Sequence, residues 1–356
     1  MNRLLEAKGL DFSDLKQEQK DSISLTLKKK NVILIVPTGF GKSLCFQLPS
    51  CTFPLLTLVF SPLNSLMKDQ VQSLVNAGVA AAFLNSTLTE VEQLLIVENI
   101  KSFKILYVTP ERFSSMKHRS FFSNLEVSLY VLDEAHCVYE WSTFRPKYQE
   151  FINHLKDDIP VLCCSATLRP KALVQLQALI PNCNIIRTPM LRPNLVLLGE
   201  KCNCREVGCH KWKKETLLRW IEMDYKTGVS GVVYCRSRKE CILWSRFMAR
   251  RIGHENVYPY HGGMSNELLS RVQEKFMDGT VKIICSTTAF GMGMDKSNIR
   301  FIYHTTKPLS MVNYIQEIGR SGRDGDESIC RIMFCDHDDA HLKKYYPAVH
   351  LNRSKI

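Results

Sequence analysis

The sequence predicts two α/β domains, each a mostly parallel sheet flanked by helices. A chain of 356 residues exceeds what one hydrophobic core usually organises. Short continuous apolar runs recur along both halves, each ending in small or polar residues and leading into a helix-like segment. Strands buried on both faces read this way, because neither face keeps polar residues for water. The rhythm breaks once, at an irregular stretch near 190–215 that carries "RPNL" and a cluster of cysteines.

In order, the first-half strands are expected at 31–36, 55–61, 104–109, 129–134 and 160–166. Those of the second half are expected at 231–235, 257–261, 281–287, 300–305 and 329–335. The domains are therefore placed at 1–192 and 215–356, with a connector at 193–214. In open parallel sheets ligands gather at the carboxyl ends of strands, and the motifs below sit at such ends.

Composition is that of a globular protein, 45% hydrophobic and 23% charged, with no low-complexity tract. Lys and Arg total 47 against 35 Asp and Glu, and the resulting +12 favours a polyanionic partner. No apolar stretch reaches the roughly 18 residues of a membrane span, and the first residues lack a signal-peptide core. Many of the 14 cysteines lie inside apolar runs, as in "VLCCSAT", which favours buried thiols in a reducing compartment. The expectation is a soluble, intracellular protein.

"IVPTGFGKSLCFQLP" follows the first strand. Across Pro37, Thr38, Gly39, Phe40 and Gly41 the two glycines let backbone N–H groups turn inward around phosphate oxygens. Lys42 can reach terminal phosphates, and Ser43 can ligate Mg²⁺ at a helix start. Asp133 and Glu134 end a later strand of the same domain. There an Asp can hold Mg²⁺ and a neighbouring Glu can orient or deprotonate the attacking water. Together they describe a nucleotide hydrolase site. A few residues on, Trp141, Phe144 and Arg145 place rings suited to stacking on bases beside those carboxylates.

"VPTGFGKS", "SPLNSLMKDQV", "NSTLT", "TPER", "DEAHC", "SAT", "YCRSRKEC", "AFGMGMDK" and "QEIGRSGRDG" occur in one order. From about residue 10 to 338 this set resembles the RecQ-type DNA helicases of superfamily 2. The resemblance implies two RecA-like domains with ATP in the cleft between them. It places Gln19 at the adenine edge and Lys16 where the family usually stacks an arginine on the base. Ser165 to Thr167 would link hydrolysis to domain movement. Gln316, Arg320 and Arg323 would come from the second domain, the arginines neutralising charge on the γ-phosphate.

The resemblance also makes the segment after "DEAHC" an aromatic-rich loop that touches single-stranded DNA. This chain departs from it: "WSTFRP" is one residue shorter than the usual pattern and lacks its His and Asp, and Tyr139 replaces a serine. Ser61, Asn64, Lys68, Thr109 and Arg112 fall in segments that hold the DNA backbone in this family. Ser237, Arg238, His261, Gly262 and Thr287 do likewise in the second domain. Such contacts position a strand without reading its sequence.

Cys202, Cys204, Cys209 and His210 lack the two-residue gap of a zinc-binding Cys pair, which favours free thiols over a metal site. Many family members continue into a zinc platform and a winged helix, and this sequence ends just past the second domain, as a minimal helicase or a fragment. The expected activity is ATP-dependent, 3′ to 5′ DNA helicase action in repair and recombination, on single-stranded and tailed or forked DNA. Hydrolysis is expected to exceed unwinding, the cofactors to be ATP and Mg²⁺, and the location nuclear in a eukaryote or cytoplasmic otherwise. The rivals are an RNA helicase and a nucleic-acid-binding module switched by ATP without productive turnover.

Overall fold

The structure, a computed structural model, describes residues 2–62, 64–113, 119–137, 147–202, 209–225, 228–288, 290, 296–336 and 338. Contacts gather the chain into two compact units, residues 1–190 and 191–356.

The first unit holds strands β1 (Val32–Ile35), β2 (Leu56–Phe60), β3 (Ala81–Leu84), β4 (Ile105–Val108), β5 (Val127–Leu132), β6 (Val161–Ser165) and β7 (Asn184–Arg187). They form one sheet in the order β3-β4-β2-β5-β6-β1-β7, with every pairing parallel. Successive side chains on a strand face opposite ways. Ile33 and Ile35 accordingly join one core cluster, while Val32 and Leu34 join the other. This two-sided burial is why β1 reads as an unbroken apolar run.

The second unit is built the same way from β8 (Leu195–Lys201), β9 (Ser230–Tyr234), β10 (Val257–Tyr260), β11 (Ile283–Ser286), β12 (Ile299–His304) and β13 (Ser328–Phe334). Its sheet runs β10-β11-β9-β12-β13-β8, again parallel throughout. At its centre Gly231 pairs with Phe301, whose ring occupies the space a Cβ would need, 2.0 Å from it.

The stretch expected to be an irregular connector differs from that expectation. Leu195–Lys201 is an edge strand that pairs with β13 along its length, and a helix begins at Cys209. Val196, Leu197 and Leu198 are about two-fifths exposed, so the strand lacks the full burial that marks the inner ones. No disulfide links the described cysteines, most of which are buried. Burial pushes the Cys45 thiol up to about 12, and no helix among the described residues is long and apolar enough to cross a membrane.

Candidate nucleotide and nucleic-acid sites

Strand order assembles the first site. β5, β6 and β1 are neighbours, so the segments leaving their carboxyl ends meet. Val36 N–H donates to Ser165 O at 3.1 Å, and Ala135 N–H donates to Cys164 O at 2.9 Å. The phosphate-type loop, the carboxylate pair and the "SAT" segment thereby share one rim.

In the loop, Gly39 and Gly41 take φ of 75° and 87°, a left-handed backbone that an L side chain rarely adopts. A Cβ on Gly41 would also stand 2.6 Å from Gln19 Nε2. Gln19 is buried; its Nε2 donates to Phe40 O (3.0 Å) and Gly41 O (3.3 Å), while its Oε1 accepts from Lys16 N–H (2.8 Å). The side chain expected at a base edge is thus tied to the loop itself. Lys16 Nζ lies 4.2 Å from the Phe40 ring centroid, a cation–π contact. Lys42 Nζ donates to Pro37 O across the turn at 3.4 Å, and Ser43 opens the helix Leu44–Ser50.

Asp133 follows β5 directly and is buried. Its Oδ1 accepts from Glu134 N–H at 3.0 Å, whereas Oδ2 has no hydrogen-bond partner among the described residues. Burial, with the Glu134 charge behind it, pushes this carboxyl up to about 7, against the opposing pull of Lys42. Glu134 has a φ of 50°, a strained left-handed backbone of the kind that clusters at functional sites. His136 Nδ1 lies 3.3 Å from Glu134 Oε2 and 3.2 Å from Ser165 Oγ, and Ser165 Oγ donates to Thr167 O at 2.7 Å. Burial works against the His136 charge, yet Cys137 and Glu134 outweigh it and hold the imidazolium well above its ordinary range.

Farther along the rim, at the ends of β2 and β4, stand the strand-contact candidates of this unit. Ser61 and Thr109 are buried there, Asn64 and Lys68 are exposed on the helix Asn64–Asn76, and Thr109 Oγ1 accepts from Arg112 N–H at 3.3 Å. Ser61 Oγ and Arg112 Nε are buried without partners among the described residues. Trp141, Phe144, Arg145 and Tyr139 lie outside the described residues, as does Cys204.

In the second unit β10, β11 and β9 are adjacent, which brings His261, Thr287, Ser237 and Arg238 to one rim. His261 is buried, its Nδ1 accepts from Gly263 N–H (3.3 Å), and its Nε2 has no partner among the described residues. Arg238 lies against Gly263, and Ser237 caps the helix Arg238–Ile252. Gln316 lies on the helix Met311–Ile318, followed by a turn in which Arg320 is buried and Arg323 N–H donates to Ser297 O at 3.1 Å. What supports Arg320 is not visible in the sequence: it meets the hydroxyl of Tyr234, whose ring stacks on His304 at 5.1 Å, and His304 Nε2 pairs with Glu317 Oε2 at 2.8 Å. Glu317 stands beside Gln316 in the motif, and that adjacency is its only signal in the sequence.

Two family patterns match this chain: "DEAD/DEAH box helicase" over residues 16–176 and "Helicase conserved C-terminal domain" over residues 212–325. The ATP-dependent DNA helicase RecQ of Bacillus subtilis (strain 168) is 34% identical over 340 residues, 92% of this chain and 55% of that protein. The protein of the same name from Pasteurella multocida (strain Pm70) is 36% identical over 344 residues, 94% of this chain and 52% of that one. The chain carries a RecQ-type helicase core of superfamily 2. It spans a little over half the length of these two relatives. Among solved structures, the helicase MrfA bound to DNA aligns with a TM-score of 0.77 at 19% identity, covering 99% of this chain and 54% of that one. At that identity the likeness speaks for the fold, and the two units of this RecQ-type core are RecA-like domains.

Proposed function

We propose that the chain is the motor of an ATP-dependent DNA helicase that moves 3′ to 5′ on single-stranded DNA, in repair and recombination. The observation that carries the reading is Asp133 Oδ2, a buried carboxylate oxygen without a partner among the described residues, on the same rim as the phosphate-type loop. Holding that group ionised is costly unless a cation faces it. With the Ser43 hydroxyl it makes an oxygen donor set suited to Mg²⁺. When bound, Mg²⁺ would offset charge on the β- and γ-phosphates.

In this reading the N–H groups from Gly39 to Ser43 hold phosphate oxygens, with Pro37, Thr38 and Phe40 shaping the turn. Lys42 exchanges the Pro37 carbonyl for a phosphate. Gln19 fixes the loop while Lys16 covers the base side. Glu134 orients the attacking water and accepts its proton, and His136 steadies the Glu134 carboxylate. Gln316, Arg320 and Arg323 serve the γ-phosphate. The two rims and the Trp141, Phe144 and Arg145 segment hold the strand, single-stranded or in tailed and forked DNA. The naming of the relatives as DNA helicases supports DNA over RNA. The motor would work with the cell's DNA, in the nucleus of a eukaryote or the cytoplasm of a bacterium.

Strand displacement on duplexes with a 3′ or a 5′ tail tests the direction and the need for ATP. Displacement of the 3′-tailed substrate alone, lost on withholding ATP, is the expected result. Equal displacement of both overturns the polarity.

A further inference from the structure

On the second unit, the helices Cys209–Asp224 and Arg238–Ile252 border a groove of about 390 Å³. Lys214, Lys239, Leu243, Arg246, Phe247 and Arg250 line it, and no carboxylate does. Lys239, Leu243, Arg246 and Arg250 are exposed and recur at a spacing that sets them on one helix face. Phe247 floors the groove, with Lys214 Nζ 5.7 Å from its ring centroid. None of the four cations makes an ion pair among the described residues. The result is a cationic stripe about 16 Å long with an apolar seam.

The first unit carries its complement. The helix Glu90–Glu98 is fixed at its start by Thr89 and Glu92, which cap one another. It exposes Val91, Leu94 and Leu95 to 67%, 57% and 54%. Side chains of that size clustered in water mark a docking face. Glu90 and Glu98 close the two ends of that face, about 12 Å apart along the axis.

We propose that the acidic, apolar helix face of one copy docks into the basic groove of a second copy. Leu94 and Leu95 lie on Leu243 and Phe247, and Glu90 and Glu98 meet Arg246, Arg250 and Lys239. An amphipathic helix in an apolar groove is a recurrent recognition mode, and here the charges fix its choice. The two patches differ, so the contact is head-to-tail and can propagate. So short a face falls in the weak, transient class of interfaces, and its exposed ion pairs are screened by salt.

Sedimentation of the full chain over a wide concentration range, without nucleotide or nucleic acid, tests this independently of the motor reading. Association that rises with concentration and falls with added salt is expected. Arg246→Glu with Arg250→Glu should weaken it roughly tenfold or more, as should Glu90→Lys with Glu98→Lys. Mixing the two variants should restore it, and unchanged circular dichroism melts show that both fold. A chain that stays monomeric throughout overturns the proposal. So does association indifferent to these reversals.

Discussion

His136 Nδ1 lies 3.2 Å from Ser165 Oγ, so a side chain just past the carboxylate pair touches the residue that ends the neighbouring strand β6. The same nitrogen is 3.3 Å from Glu134 Oε2. This ion-pair contact ties the proposed base to the segment expected to report hydrolysis. His136→Ala should leave nucleotide affinity near normal and slow turnover by about 10²-fold, the scale of losing a group that positions a general base. Steady-state phosphate release beside nucleotide binding measures both. Unchanged turnover would make His136 a packing residue only.

Lys42→Ala should lose nucleotide affinity, because the phosphates lose their charged partner. Glu134→Gln keeps the shape and removes the base, so it should bind ATP and turn it over far more slowly. Wild-type turnover by Glu134→Gln would reject Glu134 as the base.

Asp133 sets a pH dependence whose sign can be worked out. Its folded pKa of about 7 stands above an ordinary 3.8, so the native state holds the proton more tightly than the unfolded chain does. Metal-free stability from this group is present at acid pH and lost as pH rises toward and through 7, by up to a few kcal/mol. Mg²⁺ requires the carboxylate, so its affinity should rise over the same range. Melting in chelator should weaken from pH 5 to 8, and Asp133→Asn should flatten that slope. A wild-type slope equal to that of Asp133→Asn would remove Asp133 as its source.

Gly231 faces Phe301 at the centre of the second sheet, with the ring 2.0 Å from where a Cβ would stand. Phe301 is fully buried and packed against Tyr303, which leaves it no room to retreat. Gly231→Ala should therefore cost about 1–3 kcal/mol or more, read as a lower denaturation midpoint. A neutral result would mean that this core yields readily.

The inner strands were legible because two-sided burial writes itself as unbroken apolar runs, as in β1, β2 and β5. Of the edge strands, β10 was legible, expected at 257–261 and found at Val257–Tyr260, whereas β3, β7 and β8 were not. β3 is built partly of alanines, which carry little β preference. In β7 only every other residue is partly buried, and β8 exposes most of its length, so neither shows the inner signature. The loop and the carboxylate pair were legible because chemistry fixes their spacing. The contacts of His136 with Ser165 and of His304 with Glu317 were not, since strand order and side-chain packing create them. Gln19 was legible as a site residue, but its hold on the loop carbonyls was not.

Trp141→Ala bears on the segment beyond the carboxylate pair. ATP affinity should stay near normal while the rise in hydrolysis with added single-stranded DNA flattens. A full DNA response in this variant would assign the ring to the core.

The central claim, a DNA-driven ATP motor, is tested most directly by phosphate release from the isolated chain with no nucleic acid, with single-stranded DNA and with RNA of the same sequence. Slow hydrolysis alone, a rise of at least tenfold with DNA and a much smaller one with RNA are expected, on the scale of about 1.4 kcal/mol per tenfold. Hydrolysis that DNA leaves unchanged, or that RNA stimulates as strongly, would contradict it.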